Sequence, residues 1–291
     1  MKRYILFLVL LSGIFQTNAQ LLWKISGNGL KKPSYLFGTH HLAPLSILDS
    51  IPAFNDAFSS CPIVYGEVVI GDKETIKKDT KKNYESMIAP PDSTLDLLLS
   101  EDLYKKLDSI TQKNMNLTAD QIKKLKPAAI YIQLIMIKSL KYFKDFNLNE
   151  QLDEVIQRRA LSANKQIRSF ETSKQQSNIL YDTPVKKQLE TLKAIIELYD
   201  ECDQYIKRTK EAYMTQDINT LINLLNNETF GLNDNNPKNS SDERNLNWNE
   251  QLKQILPKDG PVFIAVGAGH LPGKNGLIEL LRKQGYTVEP A

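Results

Sequence analysis

Three histidines occur in the chain, His40, His41 and His270, and two of them close the same short pattern. Gly38-Thr39-His40-His41 follows the apolar pair Leu36-Phe37, and Gly267-Ala268-Gly269-His270 follows the apolar run from Val262 to Val266. With 13 Gly and 3 His in 291 positions, composition alone gives about 0.13 G-x-x-H patterns, so two placed alike after strand-like runs point to a shared task. Glycine in such a turn lets the backbone bend without a Cβ clash and lets another group come close. A neutral imidazole just beyond it binds a divalent metal or acts as a base near neutral pH. A third run, Ile63-Val64-Tyr65, leads into Gly66-Glu67 and puts a carboxylate in a comparable place. Two imidazoles and one carboxylate at strand ends are the donor set of a catalytic metal site with a position left for water. Adjacent residues of an extended segment point to opposite sides, so His41 is assigned to the site and His40 to structure or support.

The elements that must position these residues can be read along the chain. Leu21 to Ile25 and Ser34 to Phe37, separated by Gly27-Asn28-Gly29 and Pro33, predict a β-hairpin. Ile63 to Tyr65 and then Val68-Val69-Ile70 are strand-like. From Asp72 to about Glu228 the pattern turns helical and rich in Lys, Glu, Gln and Leu, with one strand expected inside it at Ile167 to Phe170. Thr118 with Gln121 predicts a capped helix start, and Pro127 opens the next helix. Thr183 as cap and Pro184 at the first helical position predict a long amphipathic helix carrying Val185, Leu189, Leu192, Ile196 and Tyr199 on one face. The Asn-rich stretch from Asn233 to Ser241 is an expected exposed loop. A helix from Glu243 to Leu256, a buried strand from Val262 to Val266, a helix from Gly276 to Gln284 and a strand at Tyr286 to Val288 complete the chain. The expected fold is α/β, with α+β as the alternative. Its central sheet takes strands from both chain ends, and residues of about 72–235 form a large helical insertion or cap within a single domain over 20–291. The helical middle would pack over the sheet or offer a surface to a second copy.

Composition limits the function classes. Of the residues, 41% are hydrophobic and 24% charged, an ordinary globular balance, and a net charge of +3 argues against a surface that tracks phosphates, so nucleic acid is not an expected partner. Lys2-Arg3, an apolar run from Tyr4 to Phe15 and Ala19 have the layout of a signal peptide over 1–19, cut before Gln20; an uncleaved anchor helix is the alternative. The expected protein is exported, periplasmic or extracellular, without an integral membrane span after cleavage. Cys61 and Cys202 are equally compatible with one disulfide and with two separate buried thiols, and no C-x-x-C pair suggests a cysteine metal site. Trp23 and Trp248 are assigned to the core.

The ordered set of motifs resembles the TraB/GumN family, related to the Tiki metalloproteases. The likeness rests on Gly38 to His41, Gly267 to His270 and Glu67. It extends through Leu22-Trp23-Lys24-Ile25, Lys126-Pro127-Ala128, Phe170-Glu171-Thr172 with Gln176, Glu243-Arg244-Asn245 and the stretch on to Gly273. Phe170 stands where the family often has Leu, and Gln175 where it often has an acidic residue. The resemblance implies a metal-dependent hydrolase of peptide bonds, with manganese or cobalt favoured and zinc compatible. The wider superfamily also implies a second route, an esterase-type hydrolase using a His/Glu pair without metal.

The leading expectation is therefore an exported hydrolase of peptides or other small molecules, in which His41, His270 and Glu67 hold one divalent cation that activates water. If Glu67 stays off the metal, it is the candidate general base. Gly38, Thr39, His40, Gly267 and Gly269 are expected to line or support the site. Arg244 would anchor a substrate carboxylate or developing oxyanion, or pair with Glu171. The metal-free hydrolase with His41 as base and a non-catalytic peptide- or metal-binding protein are the alternatives.

Overall fold

The computed structural model of the chain describes residues 20–70, 81–147, 149–225 and 241–291. The expected signal segment, residues 1–19, and most of the expected Asn-rich loop lie outside the described residues. Six strands form one mixed sheet in the order β4-β3-β5-β2-β1-β6. They are β1 (Leu22–Gly27), β2 (Ser34–Thr39), β3 (Ile63–Gly66), β4 (Gln166–Ser169), β5 (Val262–Gly267) and β6 (Tyr286–Pro290). As expected, both chain ends supply strands, and β4 comes from within the helical middle.

Gly27 (φ +78°), Asn28 (φ +44°) and Gly29 (φ +80°) take left-handed backbone conformations at the β1–β2 turn, which explains why two glycines flank an asparagine there. β1 runs antiparallel to both β2 and β6. The remaining pairs, β2–β5, β5–β3 and β3–β4, are parallel. β5 lies between two parallel neighbours, which is why Val262 to Val266 is an unbroken apolar run with every residue buried. Four parallel strands therefore end at one edge of the sheet. Thr39 of β2 is level with Gly267 of β5, and Gly66 of β3 with Ser169 of β4.

Among the helices of the described residues, in chain order, are α1 (Phe54–Ser60), α2 (Leu95–Leu98), α3 (Glu101–Met115), α4 (Ala119–Ile122), α5 (Pro127–Leu140), α6 (Leu152–Ser162), α7 (Ser173–Tyr181), α8 (Val185–Glu197), α9 (Cys202–Met214), α10 (Ile218–Leu225), α11 (Ser241–Asp259) and α12 (Leu277–Lys283). Phe54 and Phe58 of α1 pack on Phe37 and Phe263, and Trp248, Leu252 and Leu256 of α11 join the same core. A second buried cluster, built from Leu107, Ile130, Leu134, Leu192 and Ile196 among others, belongs to the helical middle alone. No described helix is long and apolar enough to cross a membrane. Cys61 and Cys202 are both buried and free, which removes the disulfide alternative; burial pushes each thiol up to about 11.

Two local expectations shift. Thr118 and Gln121 form the expected capping box at α4 and Pro127 opens α5, but α8 begins at Val185, with Pro184 in the cap position and no side-chain cap bond. The buried Gln188 side chain holds that corner instead, donating to the Thr183 carbonyl at 2.7 Å and accepting from Ala128 N–H at 3.1 Å. Val68 to Ile70 is not a strand, since β3 stops at Gly66. The Gln157 amide donates to the Val68 carbonyl at 2.8 Å and accepts from Ile70 N–H at 2.9 Å, taking the backbone groups a neighbouring strand would have used.

Candidate functional site

The sequence-derived residues collect along the edge where the four parallel strands end. Thr39 ends β2 with His40 and His41 after it, Glu67 follows β3, Glu171 follows β4, and Gly267 ends β5 with Ala268 to His270 after it. Such an edge is where open parallel sheets place their sites. The two G-x-x-H glycines have specific work there. A Cβ on Gly38 would stand 3.0 Å from the Ala268 backbone, so the first motif packs directly on the second. A Cβ on Gly267 would come within 3.2 Å of a Glu67 carboxylate oxygen, so that glycine leaves room for the acid.

Glu67 and Glu171 are brought side by side when Glu171 N–H donates to the Glu67 carbonyl at 2.9 Å, continuing the β3–β4 pairing by one step. Two adjacent carboxylates repel, and Arg244 of α11 lies between them. Its Nε donates to Glu171 Oε1 at 2.8 Å, and its Nη2 to Glu171 Oε2 at 3.0 Å and Glu67 Oε2 at 2.7 Å. Gln176 of α7 also donates to Glu67 Oε2 at 2.9 Å, and Gly267 N–H donates to Oε1 at 2.8 Å. Burial alone would raise the Glu67 carboxyl. The neighbouring His270, Arg244 and the Gly267 N–H reverse that and hold it down at about 2, so it is a carboxylate at neutral pH.

His270 is buried and its ring is fixed on both nitrogens. Asn245 donates to the Asn275 carbonyl at 2.9 Å, which turns its own oxygen toward His270 Nδ1 at 2.7 Å. With the proton on Nδ1, the Nε2 lone pair accepts from Arg244 Nη1 at 3.0 Å. Burial lowers the imidazole to about 4, so it is neutral. Its Nε2 lies 3.9 Å from Glu67 Oε1. Trp248 covers the group: its ring lies 4.7 Å from the Arg244 guanidinium and 4.5 Å from the His270 ring, and its N–H donates to Glu171 Oε1 at 2.9 Å. Trp248→Phe keeps an aromatic ring but removes the indole N–H with its hydrogen bond to a carboxylate and part of a buried ring, for an expected loss of at least about 1.5–3 kcal/mol in urea unfolding. An unchanged unfolding midpoint would contradict the role given to the indole N–H.

His41 stands apart from this cluster. Its Nδ1 lies 3.1 Å from Asp153 Oδ2, and Thr39 Oγ1 donates to Asp153 Oδ1 at 2.6 Å. Asp153 Oδ2 is buried and has no hydrogen bond, which leaves the imidazole as its charge partner. Contact with Asp153 raises His41 above the usual histidine value, an effect that solvent screens because 71% of the side chain is exposed. His41, Asp153, Glu67 and Gln176 share one small cavity. His40 faces the other way, stacked on Phe143 and accepting from Leu42 N–H at 3.1 Å; burial lowers it to about 4. It is structural.

Among the described residues, no three His, Cys, Asp or Glu side chains are grouped as a metal site. Glu67 and His270 are close, but the guanidinium of Arg244 bonds to both and presents a positive charge where a divalent ion would need free lone pairs. As packed, these donors do not fit a cation. Sequence reasoning gave Arg244 the Glu171 contact and left out its bonds to Glu67 and His270. It also missed Asp153, and it placed Gln176 and Asn245 only as motif neighbours.

The TraB/PrgY/gumN family model matches residues 21–290, nearly the whole described chain. The chain belongs to the TraB/PrgY/gumN family. No curated protein and no solved structure matches it. In this family member the two G-x-x-H turns thus serve two neighbouring constellations: a closed Glu67–Arg244–Glu171–His270 cluster and an open His41–Asp153 pair.

Proposed function

We propose that the protein is a hydrolase that adds water to an acyl carbonyl, ester or peptide, with His41 as the base. The observation that carries this reading is the placement of His41 between two carboxylates, Asp153 at 3.1 Å and Glu67 across the shared cavity. Glu67 at about 2 is too acidic to take a proton from water near neutral pH, which argues against it as the base. His41 is suited to the task. Asp153 lies 3.1 Å from Nδ1, and both carboxylates stabilise the imidazolium that forms when water gives up its proton. Arg244 keeps Glu67 charged and in place.

A raised base must lose its proton before it can act, so the sign of the pH dependence is set. Turnover of p-nitrophenyl esters or peptide anilides by the chain beginning at Gln20 should rise from neutral toward alkaline pH and then level off. A rate that falls over that range would contradict His41 as base. The leader pattern over 1–19 supports action outside the cytoplasm, and a purified chain that kept Met1 would remove that part of the proposal.

The metal-dependent reading has one observation in its favour, the buried and otherwise unbonded Asp153 Oδ2 beside His41, which is the kind of oxygen a hard cation seeks. It requires Arg244 to leave His270. Chelation separates the two readings.

A further inference from the structure

The cavity that His41 shares with Glu67 is lined in part by Val64, Val68, Ile70 and Ala265. Its volume is about 50 Å³. That is room for on the order of three or four water-sized groups. These four residues carry no polar side-chain atom, so the part of the cavity they form receives an aliphatic group without loss of hydration, while His41, Glu67, Asp153, Gln157 and Gln176 line the rest. The walls are also held in place. Val64 and Ala265 belong to the paired strands β3 and β5, and the irregular segment 68–70 is clamped at both its backbone carbonyl and its N–H by the buried Gln157 amide. Gly66 permits this, because a Cβ there would stand 2.8 Å from the Gln157 amide nitrogen and 3.1 Å from the Val68 carbonyl. A fixed apolar pocket beside a base selects by length.

We infer that this pocket is the specificity subsite of the enzyme and takes a short aliphatic group of about three or four carbons on the acyl side of the scissile bond. The inference rests on the hydrolase reading for its position in the reaction, and on the cavity alone for its ligand chemistry. Ile70 contributes to the Gln157 clamp through its backbone only, so Ile70→Ala should lengthen the pocket without releasing the segment.

The test has two arms on the full chain. In the first, kcat/KM is measured for p-nitrophenyl acetate, butyrate, hexanoate and octanoate. The expected optimum is butyrate, with at least a tenfold fall to octanoate, the discrimination a tight apolar pocket gives. Ile70→Ala should move the optimum to hexanoate. In the second, binding of isobutyramide and octanamide is followed by saturation-transfer NMR, with Val68→Phe as the variant that fills the pocket. Isobutyramide should bind to the unsubstituted chain and not to Val68→Phe. Turnover with no chain-length preference, or an optimum that Ile70→Ala leaves in place, overturns the subsite while the hydrolase reading stands. Isobutyramide binding that Val68→Phe removes, without turnover of any ester, upholds the subsite and overturns the hydrolase reading. Neither binding nor turnover overturns both.

Discussion

Arg244→Met should unfold at a much lower urea concentration than the unsubstituted chain, with a loss of about 3–5 kcal/mol at pH 7. That is a large share of the 5–15 kcal/mol that holds a typical domain together. The side chain makes four hydrogen bonds, to Glu171 twice, to Glu67 and to His270. Methionine fills much of the volume and returns none of them. Two carboxylates whose side chains are 15% and 8% exposed are then left side by side without a cation. The penalty belongs to the charges, so Glu67→Gln and Glu171→Gln added to Arg244→Met should recover most of it. The pH dependence follows from Glu67. Its pKa is lowered from 4.5 to about 2 by folding, so its stabilising contribution is fully present above 4.5 and is lost as the pH falls through about 2. In Arg244→Met the guanidinium's share of that depression is gone, and the difference between the two chains should shrink as the carboxylates protonate below about pH 5. Equal unfolding midpoints for the two chains at pH 7 would show that Arg244 does not balance the buried acids.

His41→Ala should lower kcat by about 10²–10⁴, the range for loss of a positioned base, with little change in stability because most of the side chain is in solvent. Asp153→Asn tests the same pair from the other side. The amide keeps the shape, but it cannot balance an imidazolium and can present an N–H to the ring. The alkaline rise in turnover should move to lower pH, since the group that raised His41 has lost its charge, while the maximal rate falls because the imidazolium is less well stabilised. A purely structural Asp153 would change the unfolding midpoint and leave the position of that rise alone. Unaltered kcat in His41→Ala would remove His41 from the chemistry.

The parts of this site that were legible in the sequence are those set by local chain geometry. Two G-x-x-H patterns and Gly66-Glu67 each close a short apolar run, although their glycines fall within β2, β3 and β5 rather than in turns beyond them, and such a pattern is decided within about six residues. What was not legible depends on how helices lie over the sheet. Asp153 sits in the first turn of α6, where an acid needs no reason beyond the helix dipole, and nothing in its neighbours reveals that Thr39 and His41 stand beside it. Trp248 reads as a core residue and is one, at 1% exposure, yet its N–H is spent on Glu171. The end of β3 was misplaced for a similar reason. Val68-Val69-Ile70 has strand propensity, and a buried glutamine 89 residues away from Val68 takes its carbonyl instead. The same long-range packing brought Arg244 onto His270 and so changed the chemistry expected of the two histidines.

The central claim is that Arg244 supplies the fixed positive charge among Glu67, Glu171 and His270, so that water activation falls to His41 and Asp153. The most direct measurement is ester turnover by the full chain after exhaustive chelation, with metal content determined on the same sample. The account gives turnover at its original rate in metal-free protein and loss of that turnover in His41→Ala. Turnover abolished by the chelator and restored by manganese or cobalt would contradict it and place a cation where Arg244 now stands.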